Sequence, residues 1–322
     1  MAEYDFLLAR IHGKLSRMLT RADVQTLENA EMDAIIQRLQ DTSYEDSLGE
    51  GASKRMSDGL LRGFLTDVKD LFRPLQGDDR ELLSSALSCY RVENLKTLIR
   101  TQFHQFPPER AKERILHLPW EPIDYDQLLA LPGLEEMLHQ IPWPAYRIRL
   151  EAVHRQLGET ASALAYEAAA DNVYLESLIW EYERREADVR DLLRNRLLRR
   201  VLSWTFRLRE YGYSFPETVN LLPDIRPLIS QHELRGIVED GDGWRRLARV
   251  FGNDLAREWQ EAVTFDTELA DSLFDRQLIQ LVRRQLIVSR PRMALILGYV
   301  YMKEIELGWL TGVAERARMA SV

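Results

Sequence analysis

The sequence PRMALILGYVYMKEIELGWLTGVAERARM occupies residues 291–319 and joins an apolar run directly to alternating charged and bulky residues. The apolar run, from Met293 to Met302, has about half of the ~20 residues that a transmembrane helix needs. Beyond Lys303 the apolar residues still recur at helical spacing. We therefore predict one helix over about 292–319. Its first half should lie in the protein core, and the helix should not span a membrane.

The same helical spacing extends along nearly the whole chain. Met32, Ile35, Ile36 and Leu39, for example, predict a short amphipathic helix that stops before Thr42. No stretch shows the sustained two-residue alternation of a strand, so the predicted fold class is all-α. The predicted helices cover about 3–19, 30–41, 53–73, 79–104, 145–156, 160–182, 186–210, 266–288 and 292–319.

Proline and glycine concentrate in two zones of the sequence, about 106–144 and 212–243. Proline cannot continue a helix interior, so each zone predicts short helices and turns between longer helices. The zones divide the chain into three helical modules, 1–110, 111–212 and 213–322. YRVENLKTLIRT, YERREADVRDLLRNR and KEIELGWLTGVAERAR, one from each module, are weakly alike and suggest internal triplication.

Composition restricts the class of protein. The chain has 322 residues, 45% hydrophobic and 29% charged, which is typical of a folded globular protein. Its formal net charge of −8 provides no global basic field for nucleic acid. The single cysteine, Cys89, fits a reducing compartment, and the acidic start of the sequence predicts no secretory signal.

Motifs for catalysis, cofactors or metals are not apparent in the sequence. GEGASK at 49–54 lacks the phosphate-loop spacing, and DGDG at 240–243 lacks the acid that a calcium loop needs at its twelfth position. The 6 histidines are scattered without metal-ligand spacing. Cys89 reads as a small buried hydrophobe. We therefore predict no catalytic residue, no cofactor and no metal.

One basic tract, RDLLRNRLLRRVLSWTFRLR at 190–209, has seven arginines and one acid. It would suit a nucleic-acid helix or a docking face for an acidic partner. The favoured interpretation is an amphipathic helix whose arginines pair with acids elsewhere in the chain.

A polar stripe follows the second half of the 292–319 helix. Glu304 and Glu315 differ by only about 20° in direction on a helix, and Thr311 and Arg318 lie within about 40° of the same line. Gly308 leaves a gap in the stripe where another backbone could approach. The stripe is either a docking face or a solvated face with a local Glu315–Arg318 pair. We take Glu304, Thr311, Glu315 and Arg318, together with Arg10, as candidate partner-binding residues.

Both ends of the chain resemble the C subunit of the bacterial and archaeal A/V-type ATP synthases, which corresponds to the d subunit of eukaryotic V-type ATPases. The C-terminal resemblance lies in YVYMKEIELGWLTGVAERARM, and the N-terminal one in Phe6-Leu7-x-Ala9-Arg10. LQDTSY at 39–44 and RVENLKTLIRT at 91–101 match in the expected order. Gly308-Trp309 stands where the family usually has a polar pair.

The resemblance implies a function without catalysis. It implies a funnel of three similar helical modules that acts as a rotor socket, transmitting torque for ATP-coupled ion transport. The expected partners are the central shaft subunits and the cytoplasmic loops of the membrane rotor ring. The expected location is the cytoplasmic face of the membrane, without direct insertion, and no nucleic acid is expected as a partner. A free-standing helical interaction scaffold and an all-α enzyme are the alternatives.

Overall fold

All regular elements in the described part of the chain are helices, which confirms the all-α prediction. The computed structural model describes residues 2–40, 42, 44–45, 56–158, 162–239, 267–288 and 292–320. Within these ranges no strand forms, and no helix is both long and apolar enough to cross a bilayer.

Helices are labelled here in chain order. They are α1 (Ala2–Leu15), α2 (Arg21–Gln25), α3 (Met32–Leu39), α4 (Met56–Phe72), α5 (Gly77–His104), α6 (Pro108–Lys112), α7 (Tyr125–Leu129), α8 (Leu134–Gln140), α9 (Pro144–Leu157), α10 (Ala163–Arg184), α11 (Ala187–Glu210), α12 (Phe215–Asn220), α13 (Gln231–Glu239), α14 (Thr267–Val288) and α15 (Arg292–Ala320).

The first predicted helix is too long at its C-terminal end. The sequence predicts a helix over about 3–19, whereas α1 ends at Leu15 and α2 begins at Arg21. Thr20 starts the second helix because its hydroxyl accepts the Asp23 N–H at 3.2 Å, while the Asp23 carboxylate accepts the Thr20 N–H at 2.8 Å. This reciprocal capping box satisfies two backbone donors and so favours a new helix start.

The proline zones contain short helices, as predicted. α6, α7 and α8 lie between residues 106 and 144, and α12 and α13 lie in the second zone. α6 and α9 each start at a proline, where the missing N–H removes no helical hydrogen bond. The GEGASK segment at 49–54 and the DGDG segment at 240–243 lie outside the described residues.

The chain divides into two compact units. Unit 1 comprises Met1–Glu81 and Leu278–Val322, and unit 2 comprises Leu82–Gln277. The division into three modules and the funnel arrangement remain predictions.

Unit 1 is built around α15, which packs against α1, α2, α3 and α4. All side chains from Met293 to Tyr301 are buried, as predicted for the first half of this helix. Near its other end, Leu310, Val313 and Ala314 join an apolar cluster with α2, α3 and the start of α4. This burial removes apolar surface from water and holds the shorter helices against α15.

In unit 2, two buried asparagines connect long helices to neighbouring backbone. The Asn94 side chain on α5 donates to the Leu116 carbonyl and accepts the Leu116 N–H, both at 2.8 Å. The Asn195 side chain on α11 donates to the Phe274 carbonyl at 3.0 Å. A buried amide with partners of this kind fixes helix register, because shifting the helix would leave polar atoms without bonds.

The arginine tract of α11 forms ion pairs within unit 2. Arg199 bonds to Asp271 at 2.8 Å and to Asp275 at 2.6 Å, and Arg209 lies 3.5 Å from Glu239. Another tract residue, Arg196, lies 3.7 Å from the sulfur of the buried Cys89. The pairs of Arg199 and Arg209 agree with the favoured interpretation of this tract, whereas Arg190 forms no ion pair in the described ranges.

Candidate partner-binding site

The predicted stripe on α15 lies partly against unit 1 and partly in solvent. Glu304 and Thr311 are half-buried, whereas Arg318 is exposed. Arg318 donates to Glu315 through two nitrogens, at 2.8 and 3.1 Å. The Ser57 hydroxyl of α4 donates to the other Glu315 oxygen at 3.1 Å. The structure therefore brings Glu315 and Arg318 together, and it connects the end of the stripe to the first turn of α4.

Arg10, the remaining predicted residue, lies in a groove between α1 and α4. The groove has a volume of about 590 Å³. It is lined by Arg10, Gly13, Lys14, Arg17, Thr42, Glu45, Gly63, Thr66, Asp67 and Asp70. Arg10 donates to Asp70 and Lys14 donates to Asp67, so two ion pairs cross the groove. Both helices pack on α15, which holds the two sides of the groove in place.

Beside the groove, α15 carries a buried ion pair between Lys303 and Glu306. Both residues are almost fully buried, and the Lys303 ammonium donates to the Glu306 carboxylate. The carboxylate also accepts the Leu19 N–H at 2.6 Å and the Tyr44 hydroxyl at 2.9 Å. The ammonium lies 3.9 Å from the centre of the Tyr44 ring. Several simultaneous partners compensate for the loss of hydration that burial imposes on the two charges.

Tyr299 connects α15 to the groove. Its hydroxyl donates to Asp67, the groove aspartate that also accepts from Lys14, at a distance of 2.9 Å. Burial raises the pKa of Tyr299, and the Asp67 charge raises it further. Burial likewise raises the pKa of Tyr44, and the Glu306 carboxylate adds to the shift. Both phenols therefore keep their protons at neutral pH and act as donors to carboxylates.

Two basic side chains give the groove its cationic chemistry. Arg10 and Lys14 present guanidinium and ammonium groups at the groove, and guanidinium matches a carboxylate in a two-bond geometry. Within the described ranges, no cluster of three or more His, Cys, Asp or Glu side chains could hold a metal ion.

Sequence reasoning missed the groove and the buried ion pair. Lys303 and Glu306 belong to the C-terminal sequence that resembles the family. The candidate residues, however, were taken from the polar stripe, which lies on another side of the helix. A signal was present: Lys303 and Glu306 follow an apolar run of ten residues and are spaced three residues apart. The groove had no such signal, because it is formed by residues far apart in sequence.

Comparison with known proteins agrees with the resemblance at the two ends of the chain. The family model described as ATP synthase (C/AC39) subunit matches residues 7–320. The C subunit of the A-type ATP synthase of Methanocaldococcus jannaschii is 24% identical over 185 residues. That match covers 55% of this chain and 46% of the archaeal protein, so it spans about half of the relative's length. Because the family model matches nearly the whole sequence, the chain belongs to the ATP synthase (C/AC39) subunit family.

Proposed function

We propose that this protein is a non-catalytic rotor socket of a V/A-type ATPase. It joins the central shaft to the membrane ion-translocating ring and transmits torque between ATP chemistry and ion transport. The match of the family model to residues 7–320 carries this proposal. The archaeal relative, which is named as the C subunit of an A-type ATP synthase, supports the same assignment.

The proposed architecture is a funnel of three helical modules, 1–110, 111–212 and 213–322. Its wide end receives the shaft subunits, and its other face rests on the cytoplasmic loops of the ring, at the cytoplasmic face of the membrane. A socket that transmits torque must resist deformation. The close packing of α15 against four other helices of unit 1 supports that requirement, because a packed interior has low compressibility.

The proposed contacts with partners include Glu304, Thr311, Glu315, Arg318 and Arg10. Arg318 and Arg10 are exposed, so each can exchange its present carboxylate for one on a partner. Glu315 is already bonded to Ser57, and a partner would meet it beside the start of α4. The half-buried Glu304 and Thr311 would then support the exposed end of the stripe.

Purification from native membranes tests the proposed function. The protein should co-purify with the ion-translocating ring and should leave the membrane with the central shaft after mild stripping. Membranes lacking it should lose ATP-driven ion transport, while the detached soluble head continues to hydrolyse ATP. A protein found only in the soluble fraction with unrelated partners would instead be a free-standing helical scaffold, and the proposal would be wrong.

A further inference from the structure

The rim of the α1–α4 groove carries cations that have no acidic partner among the described residues. Arg17 lines the groove and is exposed. On α4, Arg62 and Lys69 are exposed, and on a helix they lie within about 60° of the groove residue Thr66. Arg73, the first residue after α4, is exposed as well. In the part of the chain that the structure describes, none of these four cations forms an ion pair. They form a local positive surface on a chain whose net charge is −8.

The acids of the groove wall do not neutralise this surface. Asp67 and Asp70 are already engaged by Lys14 and Arg10. Glu45 is the remaining acidic residue in the lining, and it is exposed. Four exposed cations therefore face one exposed acid that has no basic partner in the described ranges. The rim is electrostatically complementary to carboxylates.

An exposed aromatic ring lies next to the same rim. Phe6 is 72% exposed, and it lies one helical turn before Arg10 on α1. Residues four apart on a helix differ by about 40° in direction, so Phe6 and Arg10 share the groove side of α1. Aromatic residues and arginine are both enriched in protein interfaces relative to the rest of the surface.

We propose that the α1–α4 groove is a docking site for an acidic helical or loop segment of a partner protein in the assembly. Carboxylates of that segment pair with Arg17, Arg62, Lys69 and Arg73, while an apolar side chain covers Phe6. This inference rests on the proposed function, because it presumes that the chain assembles with other subunits, and it adds the surface and the chemistry of one contact.

The shape of the surface favours a protein segment over a membrane or a nucleic acid. The groove is concave and has carboxylates in its wall, which a flat anionic bilayer would approach unfavourably. A nucleic acid presents phosphates at close, regular spacing, and the same Asp67, Asp70 and Glu45 would repel them. A protein segment can place each carboxylate opposite a cation and keep an apolar residue for Phe6.

Charge reversal with a matched control tests the proposal. Full-length protein is rebound to native membranes stripped of it and, separately, to the purified central shaft. The variants are Arg17→Glu and Lys69→Glu. The control is Arg110→Glu on α6, an exposed arginine outside the 190–209 tract that also has no ion pair in the described ranges. All variants should keep the melting temperature of the parent protein, because each changes a single exposed side chain.

We expect the two rim variants to bind one of these partners at least about fivefold more weakly, with slower association and a weaker dependence on salt. Arg110→Glu should bind like the parent protein. Phe6→Ala should weaken the same interaction at all salt concentrations, because its contribution is apolar.

The other outcomes separate this inference from the proposed function. If the parent protein binds neither the stripped membranes nor the shaft, the rotor function itself is wrong. If it binds but both rim variants match Arg110→Glu, the groove inference is wrong and the rotor function stands. If lipid vesicles with about 30% anionic lipid and no protein show the same dependence on Arg17 and Lys69, the ligand is a membrane surface and the inference is also wrong.

Discussion

Helix α15 contains two ion pairs with the same spacing in opposite environments. Lys303–Glu306 and Glu315–Arg318 both join residues three apart. The side chains of the first pair are each 2% exposed, whereas those of the second are 44% and 61% exposed. Water and salt screen the second pair, so it contributes little to stability. The first pair has lost its hydration and depends on its protein partners. The environment of a pair, and not its spacing, therefore decides its energetic role.

Two glycines on the same helix repeat this contrast. A Cβ added at Gly298 would lie 2.8 Å from a Val282 methyl group on α14. A Cβ added at Gly308 would meet no atom within 4 Å. Gly298 therefore permits close helix packing in the core, whereas Gly308 leaves helix backbone open on the surface of unit 1.

The largest expected effect is that of Glu306→Ala. The change leaves the Lys303 ammonium buried without its carboxylate, and the Leu19 N–H and the Tyr44 hydroxyl lose their acceptor. We expect the free energy of unfolding to fall by about 3–5 kcal/mol, as measured by urea denaturation.

The double variant Lys303→Met with Glu306→Leu is the control for this prediction. It removes both charges, so it should recover much of the lost stability. A single Glu306→Ala variant within about 1 kcal/mol of the parent protein would show that the two ion pairs of α15 do not differ as inferred.

Gly298→Ala should have the next largest effect. The new methyl group overlaps Val282, whose branched side chain has little freedom to move away. We expect a loss of about 1–3 kcal/mol in the free energy of unfolding, even after the better helix propensity of alanine is included. When Gly298→Ala is combined with Val282→Ala, the smaller side chain makes room for the new methyl group. The double variant should therefore lose less free energy of unfolding than the sum of the two single losses. Simple additivity of the two losses would argue against a steric cause.

Gly308→Ala should have the opposite sign. The position is exposed and helical, so alanine should stabilise the isolated protein by about 0.5–1 kcal/mol and raise its melting temperature. The same variant probes the gap in the stripe. If a partner backbone approaches Gly308 in the assembly, rebinding to stripped membranes should weaken although the isolated protein is more stable. A lower melting temperature would contradict the open surroundings seen at this glycine.

The smallest expected effect is that of Glu315→Ala. The change removes an exposed pair with Arg318 and one hydrogen bond from Ser57, and water can replace both. We expect the free energy of unfolding to fall by only about 0.2–0.5 kcal/mol. This loss should become smaller at high salt, because salt screens the pair. A double-mutant cycle with Arg318→Ala measures the pair itself. A coupling energy above about 1 kcal/mol would contradict the inference that the exposed Glu315–Arg318 pair contributes little to stability.

The helical pattern was readable from the sequence because its determinants are local. Apolar spacing predicted α4, α5, α10, α11, α14 and α15 to within a few residues, and prolines predicted the short helices between them. The boundary between α1 and α2 was missed because apolar residues continue at helical spacing through Leu19. The Thr20–Asp23 capping box, which ends that continuity, is a short polar signal within an otherwise regular pattern.

The candidate site was readable only in part. Polar residues at helical spacing are visible in one dimension, so the sequence could predict a stripe of Glu304, Thr311, Glu315 and Arg318. Their role in partner binding, like that of Arg10, remains a prediction. The sequence did not show that Arg10 faces Asp70 across a groove, since those residues are 60 positions apart. Nor did it separate Lys303 and Glu306, which are buried, from Glu315 and Arg318, which are exposed.

The sequence by itself determined the all-helical class, most helix bounds and the likeness to one family, since these depend on residues close together along the chain. The tertiary structure decided which charges are buried and where the groove forms. Glu306 bonds to Leu19 and Tyr44, which lie 287 and 262 positions away. Such contacts form only when the packed helices bring distant residues together and exclude water between them. That exclusion makes one pair on α15 part of the core and leaves the other to the solvent.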